Sequence, residues 1–296
     1  MPKKEKIAAN VVTYNRKDLL RECLNSLLAQ TRKPNSIIIV DNNSTDGTKE
    51  MVEKEFLDNP IFDYVRLNEN TGSAGGQYTG IKRAYEKGFD WVWCMDDDAT
   101  PKKQCLKNLL VSKESCKKAK VLVPVKISIN GNEQGSHVGV FSSPFLRIKP
   151  ANRSSKLIEF SSFVGPLFSK DVIREIGLPN KDLFIWHDDY EYFLRIKTAG
   201  FKTYLVDSAV VIHNDDYGRQ KKKQLGWKNY YGWRNKFYIK KKYCKPFWFY
   251  LYLVVFLLWQ TSEIIFVYHQ PKYIETLSKA LLNGLNGKLG FIGFDI

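Results

Sequence analysis

The first half of this sequence predicts an α/β fold built on a mainly parallel sheet. Three observations point to it. Short β-rich runs alternate with stretches of helical periodicity, the signature of βαβ units. The run Ser36–Asp41, SIIIVD, is apolar almost throughout, as a strand buried on both faces requires. Polar residues cluster directly after strand runs, where open parallel sheets gather ligands beyond the carboxyl ends of their strands. With 296 residues, 44% of them hydrophobic, the chain is long and apolar enough to bury a full core. No low-complexity tract or internal repeat competes with that reading.

The elements follow in order. IAANVVTY, from Ile7, reads as the first strand. Asp18 to Gln30 places Leu19, Leu20, Cys23, Leu24, Leu27 and Leu28 at helical spacing. Ser36–Asp41 is the second strand, and NNSTDGT is a turn in which Ser44 or Asp46 can cap a helix starting near Thr48. DYVRLN is the third strand. NTGSAGG reads as a loop leading into a helix through Tyr85, and FDWVWCMDDD is a fourth strand ending in three acids, with a helix starting near Pro101. Val121–Phe168 has β runs with weaker patterning. Asp171–Ile176 is a short helix stopped by Gly177 and Pro179. LFIWHDDYEYFLRIKTAGF starts as an extended approach and becomes a helix ending at Gly200. KTYLVDSAVVIH returns as a strand to His213. Composition then changes, which puts a boundary near Tyr217: residues 1–217 form one domain and 218–296 a helical C-terminal region.

The triplet Asp96, Asp97, Asp98 carries the sharpest chemical signal. Carboxylates two apart on an extended chain project to one side. Asp96 and Asp98 can therefore share a divalent ion, with hard oxygen ligands favouring Mg²⁺ or Mn²⁺. The plainer alternative is an acidic cap on the following helix. Asp41, at the mouth of the second strand, can accept hydrogen bonds from a ribose or a base. The glycines of NTGSAGG permit close backbone approach to a ligand. That loop matches neither GxxxxGK[ST] nor GxGxxG, so P-loop and nicotinamide chemistries lose support. In WHDDYE, Asp188 and Glu191 share a helix face, and one carboxylate there can act as a general base. The alternative is a first helical turn that favours acids through the helix dipole. His213, ending a strand, is either structural or a metal ligand.

Charge is unevenly placed. The formal net charge is +15, and Arg219–Lys245 supplies eleven Lys or Arg and no acid. That zone points to an anionic surface. Phe247–Trp259 adds thirteen apolar residues, short of the roughly 20 of a span. Extending it to Tyr268 brings in Gln260 and Glu263. Helices lying in a membrane interface, lysines on anionic headgroups, fit this composition. Five cysteines without a CxxC pair fit a reducing cytosol better than a disulfide framework or a zinc site. The opening MPKKEKIAANVVTYN lacks the apolar core of a signal peptide.

Taken in order, VVTYNR, IIIVDNNSTDGT, NTGSAGG, DDD, FVGPLFSKDVIREIGLP, WHDDYEYFLRIKTAGF and VIH resemble an inverting family 2 glycosyltransferase with the GT-A fold. The resemblance covers Ile7–His213 and is nearest to bacterial galactofuranosyl- and rhamnosyltransferases. It implies a metal set of Asp96, Asp98 and His213 holding Mn²⁺ or Mg²⁺ against a nucleoside-diphosphate sugar. It implies donor contacts from Thr13, Tyr14, Asn15, Arg16, Asp41, Asn43, Asn70, Gly75, Gly76, Asp96 and Asp97. Asp189 matches the catalytic base, with Asp188 as second choice. Gly165, Trp186, His187, Asp188 and Glu191 match the acceptor side. The implied partners are the donor, a glycan or lipid-linked acceptor and an anionic membrane surface at the cytoplasmic face. No nucleic acid is implied, and a homo-oligomer is left open. The absence of QxxRW argues against a cellulose-synthase-like polymerase. Two rivals from other classes are a nucleotidyltransferase, which usually needs a basic residue in the glycine-rich loop, and a nucleic-acid-binding protein, which needs no apolar run.

Overall fold

The computed structural model describes residues 5–115, 119–141, 147–148, 157–214 and 225–293. The boundary expected near Tyr217, the cations from Arg219 to Lys223 and Cys116 lie outside these residues. The first half runs β1 (Ile7–Thr13), α1 (Lys17–Leu28), β2 (Ser36–Asp41), α2 (Thr48–Glu55), β3 (Phe62–Arg66), α3 (Gly72–Glu86) and β4 (Trp91–Asp96). In α1, the stripe Leu19, Leu20, Cys23, Leu24 and Leu27 is the buried face, as its spacing predicts. The second half runs β5 (Ala99–Pro101), α4 (Cys105–Ser115), β6 (Val121–Ile127), β7 (Val138–Phe141), β8 (Arg147–Ile148), β9 (Leu157–Ile158), β10 (Phe160–Ser161), β11 (Leu167–Ser169), α5 (Lys170–Ile176), α6 (Asp188–Thr198) and β12 (Thr203–His213). Three longer helices follow: α7 (Trp227–Tyr243), α8 (Pro246–Ser262), which continues as a π-helical turn to Val267, and α9 (Tyr273–Leu285).

The main sheet has the order β3-β2-β1-β4-β11-β6-β12-β5, with β9 also paired to β12. β3, β2, β1 and β4 are parallel, and β11 enters antiparallel between β4 and β6. Strand order reverses at β1, between β2 and β4, which is where open α/β sheets bind ligands. The register is level there: Thr13 faces Asp41 across one pair, and Val12 faces Asp96 across the other. One apolar layer joins the sheet to α1, α2 and α4 through Leu20, Leu24, Val52 and Leu106. The other joins it to α3, α5 and α6 through Ile81, Val172, Ile173 and Phe193. A third cluster links α7, α8 and α9 to Phe184.

Three sequence expectations are corrected. NTGSAGG is not a loop: Gly72 opens α3, and Gly75 and Gly76 lie inside it. A Cβ on Gly76 would stand 2.3 Å from Val12 Cγ1, so this glycine seats the helix on β1. The segment at Pro101 is not a helix start but β5, paired antiparallel to β12, and α4 begins only at Cys105. The approach to α6 is a 3₁₀ turn, Lys181–Leu183, followed by left-handed Phe184, Trp186 and His187, rather than extended chain.

Gly80 carries the closest approach of α3 to β1, since an added Cβ would lie 1.7 Å from Asn10 Oδ1. Asn10 is fully buried and donates to Gln77 Oε1 at 2.8 Å. We expect Gly80→Ala to destabilise the fold by about 1–3 kcal/mol in urea unfolding, despite the better helix propensity of alanine. An unchanged midpoint would contradict this packing.

Candidate active site

β4 ends at Asp96, and Asp97 and Asp98 form a tight turn before β5. The chain is therefore not extended across the triplet, and the same-side projection expected of Asp96 and Asp98 gives way to three separate environments. Asp97 is fully buried, accepting from Thr13 Oγ1 at 2.8 Å and facing Arg16 Nη2 at 3.0 Å. Arg16 Nη1 also donates to Asp98 Oδ2 at 2.7 Å. Asp98 Oδ1 faces His213 Nε2 at 3.5 Å, an electrostatic contact too long for a good hydrogen bond. Asp96 accepts from Gln77 Nε2 at 3.3 Å. Burial pushes the Asp97 carboxyl up to about 7 against the pull of Arg16. Burial and the Asp98 charge raise Asp96. For Asp98 burial acts upward too, but His213, to the extent that its ring is protonated, and Arg16 outweigh it and hold the carboxyl below its ordinary range.

The other residues that the resemblance assigns to the donor form the surrounding turns. Asp41 is fully buried, accepting from Tyr64 Oη at 2.7 Å and the Ser44 amide at 2.8 Å, with Arg66 Nε at 3.6 Å. Asn15 and Asn43 adopt left-handed backbone, which asparagine tolerates. Asn15 Oδ1 accepts from the Thr45 amide at 2.7 Å, and Asn70 Oδ1 accepts from the Gly72 amide at 2.8 Å. Asp46 accepts from the Thr48 amide at 3.1 Å, while Ser44 holds Asn15 instead of capping α2. Tyr14 is exposed. Gly75 and Gly76 pack on Thr71 and Val12 of their own chain.

Opposite stands the turn that delivers Asp188 and Asp189 to the start of α6. Left-handed backbone at Phe184, Trp186 and His187 is unusual for bulky residues and must be held from outside. α3 supplies one grip: the Ala74 amide donates to Phe184 O at 3.0 Å, and a Cβ on Gly72 would fall 2.0 Å from that oxygen. α7 supplies the other. Asn235 Nδ2 donates to the carbonyls of Leu183, Ile185 and Trp186 at 2.8, 3.0 and 2.8 Å. Arg234, fully buried, donates to Leu183 O at 3.0 Å and Gly290 O at 2.6 Å. Part of the basic stretch is thus internal rather than an anion-facing surface. Glu191 is buried against Arg195 Nε at 3.0 Å and Tyr243 Oη at 2.6 Å, so it does not line the cleft. Gly165 sits on Pro124 and Val211 and donates its amide to Cys94 O at 2.8 Å.

One cleft of about 1070 Å³ brings the two sides together, lined by Asp96, His213, Trp186, His187, Asp188 and Asp189. Asp188 is buried, and burial together with the Asp189 and Asp96 charges raises its carboxyl well above the usual range. That shift favours the neutral form of Asp188. Among the described residues, no three carboxylate, histidine or cysteine side chains form a group able to hold an ion unaided. The donor set still fits a cation shared with a ligand: Asp98 Oδ1 is buried without a hydrogen-bond partner, and His213 Nε2 faces it. Mg²⁺-type sites commonly take one or two protein ligands and complete the sphere with substrate phosphates.

The fold agrees with what comparison with known proteins shows. The profile of glycosyl transferase family 2 matches residues 10–177, more than half of the 296. The chain belongs to this family. As a family 2 glycosyltransferase it is 28% identical to dTDP-rhamnosyl transferase RfbF of Shigella flexneri, over 97% of each chain. It is 32% identical to galactofuranosyltransferase GlfT1 of Mycobacterium tuberculosis, over 66% of each chain. Solved structures share the fold: GalNAc-T7 with UDP, GalNAc and Mn²⁺ superposes with a TM-score of 0.66 at 16% identity, covering 85% of this chain and 50% of that one. TarS of S. aureus gives 0.62 at 15%, covering 96% and 82%.

Sequence reading missed three side chains around the cleft. Gln77, on α3, reaches Asp96. Lys126 is buried, its amine donating to Ser161 Oγ at 2.5 Å, and burial lowers it to about 7 against the attraction of Asp189. A lysine in the apolar run VLVPVKI was the available signal. Gln134 bonds His213 Nδ1 at 2.8 Å. The Asn130-Gly131 turn, which folds residue 134 back beside the end of β6, was the signal for it.

Asp97 gives a pH prediction. Its folded value of about 7 exceeds the ordinary 3.8, so the native state binds the extra proton between them and stability falls as pH rises through that window. Asp97→Asn removes this dependence. In chelator, its stability relative to the native chain should climb from pH 4 to 7, by at most about 1.4 kcal/mol per pH unit, in urea titrations. A difference that stays flat or shrinks with pH would contradict the assignment.

Proposed function

We propose that this glycosyltransferase moves galactofuranose or rhamnose, with inversion, from a nucleoside-diphosphate sugar to a hydroxyl of a lipid-linked or cell-surface glycan. The observation that carries the reading is the single cleft in which Asp96 and His213 face Asp188 and Asp189. The sugar is suggested by the names of the two relatives. Family 2 membership favours this over nucleotidyl transfer or nucleic-acid binding.

The residues divide the reaction between them. Asp98 and His213 would hold a Mn²⁺ or Mg²⁺ ion. Such an ion, when bound, neutralises charge on the departing diphosphate. Thr13 and Arg16 hold the Asp97–Asp98 turn in place, and Asp41 fixes the β2 turn beside it. Asp189 takes the proton of the attacking hydroxyl, next to an Asp188 whose burial favours its neutral form. The left-handed turn at Trp186 and His187 presents both carboxyls and shapes the acceptor side. Asp189→Asn should reduce sugar transfer by about 10²–10⁴-fold while donor binding persists, read as nucleoside-diphosphate release and by calorimetry. Near-normal turnover would remove Asp189 from the role.

The acceptor class is supported by the remainder of the cleft. Besides Asp189 it is lined by Lys236 and Lys240 and by Tyr252, Phe256 and Trp259 of α8. Acids, cations and an apolar wall in one cleft suit the sugar, phosphate and lipid parts of such an acceptor. Pro246–Val267 is long and apolar enough to cross a membrane by length and composition. Gln260 and Glu263 line the cleft, while Phe247, Leu251, Val254 and Leu258 are exposed. That sidedness, with exposed Lys241, Lys242 and Lys245 alongside, supports a helix lying in the interface at the cytoplasmic face. Flotation with anionic vesicles should be strong for the native chain and lost in Phe247→Glu/Leu258→Glu without a change in urea midpoint. Equal flotation of both proteins would overturn interfacial docking.

A further inference from the structure

We propose that Gln134 is a positioning residue that sets the tautomer and ring orientation of His213, so that Nε2 is delivered unprotonated toward Asp98. The inference rests on the reading of Asp98 and His213 as cation ligands and adds to it a residue outside every motif of the family resemblance.

Gln134 grips His213 at two points. Its Nε2 donates to the His213 carbonyl at 3.2 Å, and its Oε1 meets the ring Nδ1 at 2.8 Å. The carbonyl decides the direction of both bonds. A carbonyl oxygen only accepts, so it selects the NH₂ end of the amide. The amide oxygen is thereby turned to Nδ1, and a close contact there requires Nδ1 to carry the proton. In the neutral ring Nε2 is then left with its lone pair, 3.5 Å from Asp98 Oδ1. Asp98 Oδ1 is itself buried and lacks a hydrogen-bond partner. Two lone-pair donors thus confront each other in a buried place, the arrangement a cation relieves. Metal-bound histidines generally donate their other ring nitrogen in this manner.

The backbone around Gln134 is built to hold it. The Gln134 amide donates to Lys126 O at 2.9 Å, closing a hairpin at the end of β6. β6 runs parallel to β12, whose last residue is His213. His137 packs edge-on against the His213 ring at 4.8 Å between centroids, and its Nδ1 lies 3.0 Å from Ser162 Oγ. The imidazole is therefore held at Nδ1, against a second ring and through its own carbonyl.

The test uses the full chain, stripped with chelator and titrated with Mn²⁺ alone and with Mn²⁺ plus UDP, read by manganese EPR. ¹⁵N NMR of the imidazole nitrogens accompanies it. In the native chain His213 should be protonated at Nδ1, and Gln134→Leu should shift the proton toward Nε2 and weaken Mn²⁺ binding by about 10–100-fold. Gln134→Asn, too short to make both bonds, should weaken binding in the same direction. Native His213 protonated at Nε2 overturns the inference whether or not any variant folds. Equal manganese affinity in native and Gln134→Leu chains overturns it as well. If the native chain binds no manganese even with UDP, the metal reading falls, whereas the tautomer result still judges Gln134.

Discussion

Three adjacent carboxylates at the end of a buried strand repel one another, and the site depends on how that repulsion is resolved. Desolvation alone would keep such groups protonated. One guanidinium, Arg16, spans two of them, and Thr13 hydrogen-bonds the most deeply buried. Both come from the end of β1 and the turn after it, which the parallel register places beside Asp96. The consequence is a division of roles. Asp97 is neutralised internally, Asp98 keeps its charge with one oxygen unpaired, and Asp96 turns to the cleft.

The turn before α6 obeys a different constraint. Asp188 and Asp189 begin a helix directly after three residues in left-handed backbone, which bulky side chains adopt only under external restraint. α3 grips that turn through the Phe184 carbonyl, and α7 grips it through Asn235 and Arg234. The C-terminal helices therefore do more than follow the catalytic sheet. They hold the turn that delivers Asp188 and Asp189, and α8 extends the wall of the same cleft. α8 and the carboxylates are in this way parts of one cleft.

The sheet was legible because its strands are apolar runs with polar ends, and the reversal at β1 put the motifs on one edge. The acid knots and His213 were legible because each stands where a strand ends or a helix begins. Other features depend on contacts between distant segments. The glycines of NTGSAGG look like a loop until β1 and Phe184 are placed against them, when each missing Cβ becomes a packing requirement. Ala99–Pro101 becomes a strand only because β12, more than a hundred residues later, pairs with it. Arg234 reads as surface charge, yet backbone carbonyls satisfy it inside the fold. Gln134 carries no motif, and its role arises from β6 and β12 lying side by side.

The central claim is that Asp98 and His213 are held apart by the fold in order to share a cation with a donor diphosphate. Anomalous diffraction at the manganese edge, from crystals containing Mn²⁺ and a nucleoside diphosphate, tests it most directly. The account predicts one strong peak within bonding distance of Asp98 and His213 Nε2, adjoining the diphosphate oxygens. A peak seated on Asp188 and Asp189, or a bound diphosphate with no manganese beside it, would contradict it.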